Sequence, residues 1–369
     1  MRKLSRLVVA LAAISLLQVG AAAGPVAFGP YIQNVTQTEA TVCWVTLDGE
    51  ATVQAEGQDK LTGQAYREHE IRFTGLKPGI TYTYDLSESG APGATGTFTT
   101  APAGPDASFT FVAYGDSRSR HDIHAKILAA VSKASPAFVV NTGDIVSDGR
   151  RLSDWKPFSE VTQGLMRTVP YYPVLGNHES DSPYYFEFFA LPGNERYYSF
   201  DHGPVHCIVL DSIGPRAAGR QVQQTLVEEY WRDQLLWLRE DLEGHADAPY
   251  IFLFFHNPLY SAKASRYEES LLFRRRLEGI FKANRVSAVF NGHDHFYARS
   301  LAGGVQYVVT GGGGAPLYDP DKPIPETVKA VKIEHWVKVA VTPQQATITA
   351  IDINGQTIDE FTITPRRQP

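Results

Sequence analysis

The sequence predicts two folded units in series, a small all-β sandwich followed by a larger layered α/β domain. Three observations carry that reading. From Pro25 to about Thr100 the chain is a succession of short β-branched and aromatic runs broken by turns, with no useful helical period. Ala101-Pro102-Ala103-Gly104-Pro105 has the composition of a linker. Beyond it, apolar strand-like runs alternate with amphipathic helical segments, the rhythm of α/β layers. A chain of 369 residues, 43% hydrophobic and 20% charged, has room for two domains with a sizeable core.

The first segment reads as an export leader. Arg2, Lys3 and Arg6 form a basic head, Leu7 to Val19 a mostly apolar run, and Ala21 and Ala23 fit an A-x-A cleavage rule. Residues 1–23 are therefore expected to be removed, leaving no membrane span and a secreted or periplasmic protein. The run is short for a transmembrane helix. The formal charge of −6 does not indicate a nucleic-acid-binding surface. With only Cys43 and Cys207, a disulfide scaffold and every Cys-rich zinc module are excluded, and both cysteines are expected as buried free thiols.

The β unit is placed at 24–101. Its expected strands are Ala40 to Thr46, Ala51 to Glu56, Glu68 to Phe73 and Thr81 to Leu86, with Trp44 as a core residue. Leu76 to Tyr84, LKPGITYTY, resembles the tyrosine-corner segment of fibronectin type III domains, in which a tyrosine bonds back to the preceding turn. The α/β unit is placed at 106–365. Phe109 to Tyr114 ends at Gly115-Asp116, and His121 to Lys133 has helical spacing. Ala137 to Val140 leads into Asn141-Thr142-Gly143-Asp144, and Tyr171 to Leu175 into Gly176-Asn177-His178-Glu179. Val205 to Leu210 ends at Asp211, and Tyr250 to Phe255 ends at His256. Val286 to Phe290 precedes Asn291-Gly292-His293-Asp294-His295. Val227 to Leu242 and Glu268 to Ala283 are helix-like, and Trp336 to Ile363 is strand-like with a hairpin turn at Asn354-Gly355.

The recurrence of a polar cluster at each strand end carries the functional reading, because ligand sites in α/β sheets form at the carboxyl ends of strands. Singly, a Gly-Asp there is more often a helix cap and a lone His a core residue. Together, Asp116, Asp144, Asn177, His256, His293 and His295 make a mixed oxygen and nitrogen set. That set suits borderline first-row metals rather than calcium, and six ligands fit two ions sharing a carboxylate. Gly311 to Gly314 lacks the Lys-Ser/Thr of a phosphate loop and reads as a tight turn. Tyr184, Tyr185, Phe186, Phe188 and Phe189 read as core or interface.

The ordered set Gly-Asp, Gly-Asp, Gly-Asn-His-Glu, strand-borne His and Gly-His-x-His resembles the signature of the calcineurin-like metallophosphoesterases. The β unit, Gly29 to Asn34, Glu195 to Phe200 and Asn291 to Arg299 resemble the purple acid phosphatase branch. The resemblance implies an α/β/β/α sandwich of two mixed sheets flanked by helices, preceded by a fibronectin III-like sandwich. It implies that Asp144 bridges two ions, that Asp116 and His295 hold the first, and that Asn177, His256 and His293 hold the second. His178 then lies beside the substrate phosphate as a proton donor or charge stabiliser, and Glu179 is a supporting partner or a solvated carboxylate.

Two departures stand out. The position of the branch's tyrosine ligand is Ser147, and the Asp-x-His alternative of other superfamily members has Arg118 in place of His. The missing ligand is then His121, His124, Ser147 or water. Arg118 is expected to pair with a substrate phosphate, against a surface pairing with Asp148 or Asp122. The function expected is an exported phosphoesterase with two metal ions (Fe, Zn or Mn), hydrolysing small phosphate monoesters by attack of metal-bound hydroxide. A phosphodiesterase on nucleotide or lipid head-group esters is the nearest alternative. A cell-surface binding module with a decayed centre is the alternative from another class.

Overall fold

The computed structural model describes residues 26–53, 61–87, 94–179, 181–214 and 224–366. The expected leader, 1–23, lies outside them. In the N-terminal unit, β1 (Val26–Gln33), β2 (Ala40–Val53) and β3 (Leu61–Phe73) form an antiparallel sheet. A second sheet pairs β4 (Thr81–Leu86) with β5 (Ala94–Thr99). Ile32, Val35, Ala40 and Val42 from one sheet pack with Tyr84 and Phe98 from the other, so the unit is all-β with its own core. Residues 40–53 form one strand where a break was expected, and residues 54–56 of the expected second strand lie outside the described residues. A register shift between Leu47 and Gly49 lets β2 bend through that point and continue, as a bulge does. Tyr82 behaves as the resemblance implied, its hydroxyl accepting from the Lys77 amide at 2.9 Å. Trp44 is buried but lies outside that core, stacked on His69 with ring centroids 4.8 Å apart.

The larger unit begins with β6 (Phe109–Tyr114), α1 (His121–Lys133), β7 (Val139–Asn141), α2 (Leu152–Met166) and β8 (Tyr171–Pro173). It continues with α3 (Pro183–Phe188), β9 (Tyr198–His202), β10 (Val205–Val209), α4 (Gln224–Gly244), β11 (Tyr250–Phe255), α5 (Tyr267–Ala283) and β12 (Ala288–Asn291). Its last strands are β13 (Tyr297–Ala302), β14 (Val305–Thr310), β15 (Thr327–Val331), β16 (His335–Val341), β17 (Ala346–Asp352) and β18 (Thr357–Ile363). Helix α2 was not expected. Its buried Trp155, Phe158, Thr162, Leu165 and Met166 keep helical spacing around Pro157, at the cost of one ladder hydrogen bond.

These strands form two mixed sheets, in the orders β18-β17-β16-β6-β7-β8 and β15-β13-β14-β12-β11-β10-β9. Phe111 of the first lies 5.4, 6.1 and 6.3 Å, ring to ring, from Phe252, Phe254 and Phe290 of the second, so the two sheets share one aromatic core. The buried faces of α1 and α2 join that core from one side and those of α4 and α5 from the other. The β unit is bonded onto this body. Tyr31 donates to the Phe188 carbonyl at 2.7 Å, Gln33 to the Tyr171 carbonyl at 2.9 Å and Tyr84 to the Arg167 carbonyl at 2.8 Å. Tyr185, Phe188 and Phe189 are buried, as core residues should be. Cys43 and Cys207 are buried free thiols, as expected.

Candidate metal centre

The strand ends do not lie side by side in one sheet. Asp116, Asp144 and Asn177 follow β6, β7 and β8 of the six-stranded sheet. His256 follows β11, and His293 and His295 follow β12, of the seven-stranded sheet. The two sheets meet face to face, so their loops converge from opposite sides.

The convergence is tight. Asp116 Oδ1 lies 3.2 Å from His295 Nε2, and Asp144 Oδ1 lies 3.4 Å from His256 Nε2. His256 Nε2 is 3.2 Å from Asn177 Oδ1 and 3.2 Å from His293 Nδ1. Donor atoms of Asp116, Asp144 and His295 all lie within 4.8 Å of one another, and all three residues are buried. Asp116, Asp144 and His293 adopt left-handed φ values of 57°, 56° and 70°, an uncommon conformation that turns each side chain into the cluster. Gly176 is required here, because a Cβ would stand 2.3 Å from the Asp144 amide.

Each imidazole has one nitrogen anchored elsewhere. His256 Nδ1 donates to the Thr142 carbonyl at 2.9 Å and His295 Nδ1 to the Pro316 carbonyl at 2.7 Å, while His293 Nε2 faces Glu269 at 3.2 Å. For His256 and His295, whose Nδ1 protons go to carbonyls, Nε2 is left with its lone pair turned inward, the tautomer that metal binding needs. Asp116 Oδ1 is buried with no hydrogen bond. Such an orphan, beside an acceptor nitrogen, fits a cation. Burial works against charge on His256, but Asp144 and Asp116 outweigh it and lift its pKa to about 9. Burial likewise disfavours the Asp144 anion, yet His256 and His178 hold its pKa well below the usual carboxylate range. A proton and a metal ion compete for the same nitrogen.

Glu179 is not a solvated carboxylate but a supporting partner, acting through the backbone. It is fully buried and accepts from the amides of Gly176 at 2.7 Å, Ile145 at 2.9 Å, Asp144 at 3.0 Å and Val146 at 3.3 Å. It therefore ties the loop after β7 to the loop after β8. Burial and the Asp144 charge push its pKa up to about 7, against the pull of those amides.

At the half-exposed rim, His178 Nδ1 donates to the Ser147 carbonyl at 2.6 Å and its Nε2 lies 3.7 Å from Asp144 Oδ2. Arg118 reaches Asp144 Oδ2 at 3.4 Å and His295 Nε2 at 3.5 Å. It pairs with neither Asp148 nor Asp122; Asp148 is held by Arg150 and Arg151. Sequence reasoning missed Arg266, whose guanidinium touches His293, and Tyr318, whose ring stacks on His295 at 4.2 Å. No motif marks either one: Arg266 closes a short 3₁₀ turn before α5, and Tyr318 lies in the long segment between β14 and β15.

The candidates for the missing ligand resolve differently. His124 is in the core, its Nε2 bonded to the Tyr114 hydroxyl at 2.8 Å, and burial lowers its pKa to about 3. Ser147 is exposed and offers its carbonyl to His178. His121 is not among the donors gathered at Asp116. Gly311 to Gly313 thread beneath the cluster, where a Cβ on Gly311 would stand 2.2 Å from the Asp294 carbonyl. The run is a close-packed turn, not a phosphate cradle.

The calcineurin-like phosphoesterase family model matches residues 109–297, just over half of the chain. The chain belongs to the calcineurin-like phosphoesterase family. Phosphoesterases of this family are metal-dependent phosphoric ester hydrolases, and the match spans all six donor residues. A phosphoenolpyruvate phosphatase from Allium cepa is 26% identical over 352 residues, covering 82% of this chain and 69% of that protein. Purple acid phosphatase 21 from Arabidopsis thaliana is 27% identical over 271 residues, covering 67% of this chain and 58% of that protein. Purple acid phosphatase PPD1 from yellow lupin seeds superposes with a TM-score of 0.71 at 17% identity, covering 91% of this phosphoesterase and 74% of that chain. That likeness extends the shared fold into the N-terminal β unit.

Proposed function

We propose that this phosphoesterase is an exported phosphomonoesterase working with two metal ions. The observation that supports it most is the position of Asp144, whose Oδ1 faces His256 while its Oδ2 faces Arg118 and His178. One carboxylate thus borders both donor groups and the rim. Asp116, Asp144 and His295 would hold one ion, and Asp144, Asn177, His256 and His293 the other. The ions supply Lewis-acid polarisation of the phosphoryl group and activation of water near neutral pH.

The remaining steps fall to side chains. Arg118 pairs with phosphate oxygens, a planar match of guanidinium to phosphate, and leaves Asp144 as it does so. His178 holds its Nδ1 proton on the Ser147 carbonyl, which aims Nε2 into the site. In the imidazolium form Nε2 carries a second proton, which it delivers to the departing alcohol oxygen while Nδ1 keeps its own. Buried donors behind a half-exposed rim keep bulk water from the reacting centre.

The domain limits that accompany this reading are 24–101 and 106–365, with residues 1–23 as an export leader. No described helix is long and apolar enough to cross a membrane. The convergence of all six donor residues argues against a decayed centre in a binding module. The test is turnover of p-nitrophenyl phosphate against bis(p-nitrophenyl) phosphate by protein stripped of metal and reloaded with Zn²⁺, Mn²⁺ or iron. Metal-dependent preference for the monoester is expected. Preference for the diester would favour the phosphodiesterase, and no turnover with both ions bound would overturn the enzyme reading.

A further inference from the structure

The rim of the metal centre carries a second guanidinium that the reaction described above does not use. Arg118 stands at the corner where His295 meets Asp144. Arg266 stands at another corner, its guanidinium against His293 and 3.6 Å from Glu269 Oε2. Tyr318 links the two. Its ring stacks on His295 with centroids 4.2 Å apart, its hydroxyl lies 3.4 Å from His295 Nε2, and its side chain bonds Arg266. Arg118, Tyr318 and Arg266 thus form an arc along the histidine side of the site.

The segments that carry this arc are bonded to each other. Arg266 closes the 3₁₀ turn between β11 and α5. Beside that turn, Lys263 Nζ pairs with Asp321 Oδ2 at 2.6 Å, and the Ala264 amide donates to Asp321 Oδ1 at 2.8 Å. The Lys322 amide donates to the Ala262 carbonyl at 2.8 Å, and the Tyr318 amide to the His295 carbonyl at 3.1 Å. Groups held this way lose little freedom when a ligand arrives. The neighbouring carboxylates leave the guanidinium with donors to spare. Glu269 stands outside direct hydrogen-bond reach of it, and its oxygens accept from Asn257 Nδ2 at 3.0 Å and face His293 Nε2 at 3.2 Å. Asp294 Oδ2 accepts from the Ser261 hydroxyl at 2.5 Å. The Arg266 side chain is 31% exposed, so an anion from solution can reach it.

The phosphoryl group is already served by Arg118, His178 and the ions. Arg266, against His293 rather than Asp144, is placed for charge elsewhere on the substrate. We propose that Arg266, with Tyr318, is a specificity determinant that selects phosphate monoesters whose leaving group carries a second anionic group, a carboxylate or a further phosphate. The inference rests on the phosphomonoesterase reading above. Either anion matches the planar fork of a guanidinium, and an ester with a neutral leaving group leaves that fork unused.

The test is calorimetric binding of 3-phosphonopropionate and propylphosphonate to zinc-loaded protein. The two probes differ by a carboxylate in place of a methyl group. Wild type should bind the carboxylated probe about 10- to 100-fold more tightly, the usual worth of a hydrogen bond to a charged group. Arg266→Gln should lose most of that preference while keeping both ions by elemental analysis, and Arg266→Lys should regain part of it. In turnover, Arg266→Gln should lose more kcat/KM with a carboxylated aryl phosphate than with p-nitrophenyl phosphate, chiefly through KM. Equal binding of the two probes by wild type overturns the proposal. Equal weakening of both in Arg266→Gln also overturns it, making Arg266 a contact of the phosphoryl group. So does loss of an ion in Arg266→Gln, which would make Arg266 a support for His293. If wild type binds neither probe and turns over no monoester, the phosphomonoesterase reading falls first and takes the proposal with it.

Discussion

The two sheets contribute different halves of the catalytic donor set. The six-stranded sheet delivers oxygen, through Asp116, Asp144 and Asn177, and the seven-stranded sheet delivers nitrogen, through His256, His293 and His295. The halves are also held differently. The oxygen half rests on backbone amides: His178 N bonds Asp144 at 3.0 Å, His293 N bonds Asp116 at 2.9 Å, and Glu179 collects four amides from two loops. Each imidazole of the nitrogen half rests on one acceptor of its own, at Thr142, Glu269 or Pro316. Damage to the oxygen half should therefore spread, and damage to the nitrogen half should stay local.

The largest expected effect breaks the comparison at its centre. Asp144→Ala should reduce turnover to background and lower the content of both metals, because the shared carboxylate borders both groups. His293→Ala should chiefly lower the content of one. Elemental analysis of the two proteins, each checked for folding by circular dichroism, decides the matter. Full metal loading in Asp144→Ala would contradict the bridging assignment.

Next in size is His178, which belongs to the oxygen side by sequence but is expected to hold no metal. His178→Ala should keep both ions and lose about 10²–10⁴-fold in kcat, the usual worth of general acid assistance. The loss should shrink for leaving groups that need no proton, such as p-nitrophenolate. Equal losses across leaving groups would reduce His178 to electrostatic stabilisation. A smaller effect comes from Glu179→Gln. The amide keeps one acceptor oxygen but presents N–H groups to backbone N–H donors. Metal affinity should fall about 10- to 100-fold, as when other supporting partners are lost. Unchanged affinity would show that the two loops hold their shape without the carboxylate.

Much of this was legible in sequence because polar clusters after apolar strands are local signals. Asp116, Asp144, Asn177, His178, His256, His293 and His295 each sit directly after such a run. The hairpin at Asn354-Gly355 and helix α1 were legible for the same reason. Other features depend on which surfaces meet. That the strands belong to two sheets follows from packing between Phe111 and Phe252, Phe254 and Phe290, which no local pattern encodes. Glu179 and Arg118 were visible as residues, but apart from Gly176 the site partners described above lie 26 to 177 positions away. Arg266 and Tyr318 reach the rim from segments with no periodic signature.

The smallest expected effect on activity sharpens the comparison by excluding a ligand. His124 stands just behind the oxygen half, near enough in sequence to Asp116 to be a candidate. Its Nε2 is bonded to Tyr114, whose hydroxyl also lies 2.9 Å from the Tyr171 hydroxyl, and its ring packs near Phe158 and His121. His124→Phe should keep both metals and leave kcat within a few-fold of wild type. Neutral-pH stability should fall by about 1 kcal/mol for the lost hydrogen bond. Acid should reverse the ranking. Burial lowers the His124 pKa to about 3 in the folded protein, while the unfolded chain titrates near the ordinary 6.5. Between those values the unfolded state binds the extra proton. The neutral histidine therefore supports folding fully above pH 6.5, and that support drains away as the pH falls toward 3. His124→Phe has no such proton to bind, so its stability should decline less steeply across that window. Melting temperatures of both proteins between pH 7.5 and 4, with metal analysis at each end, make the measurement. Parallel acid limbs would mean that His124 is not the residue titrating. Loss of one metal in His124→Phe would restore it to the ligand set.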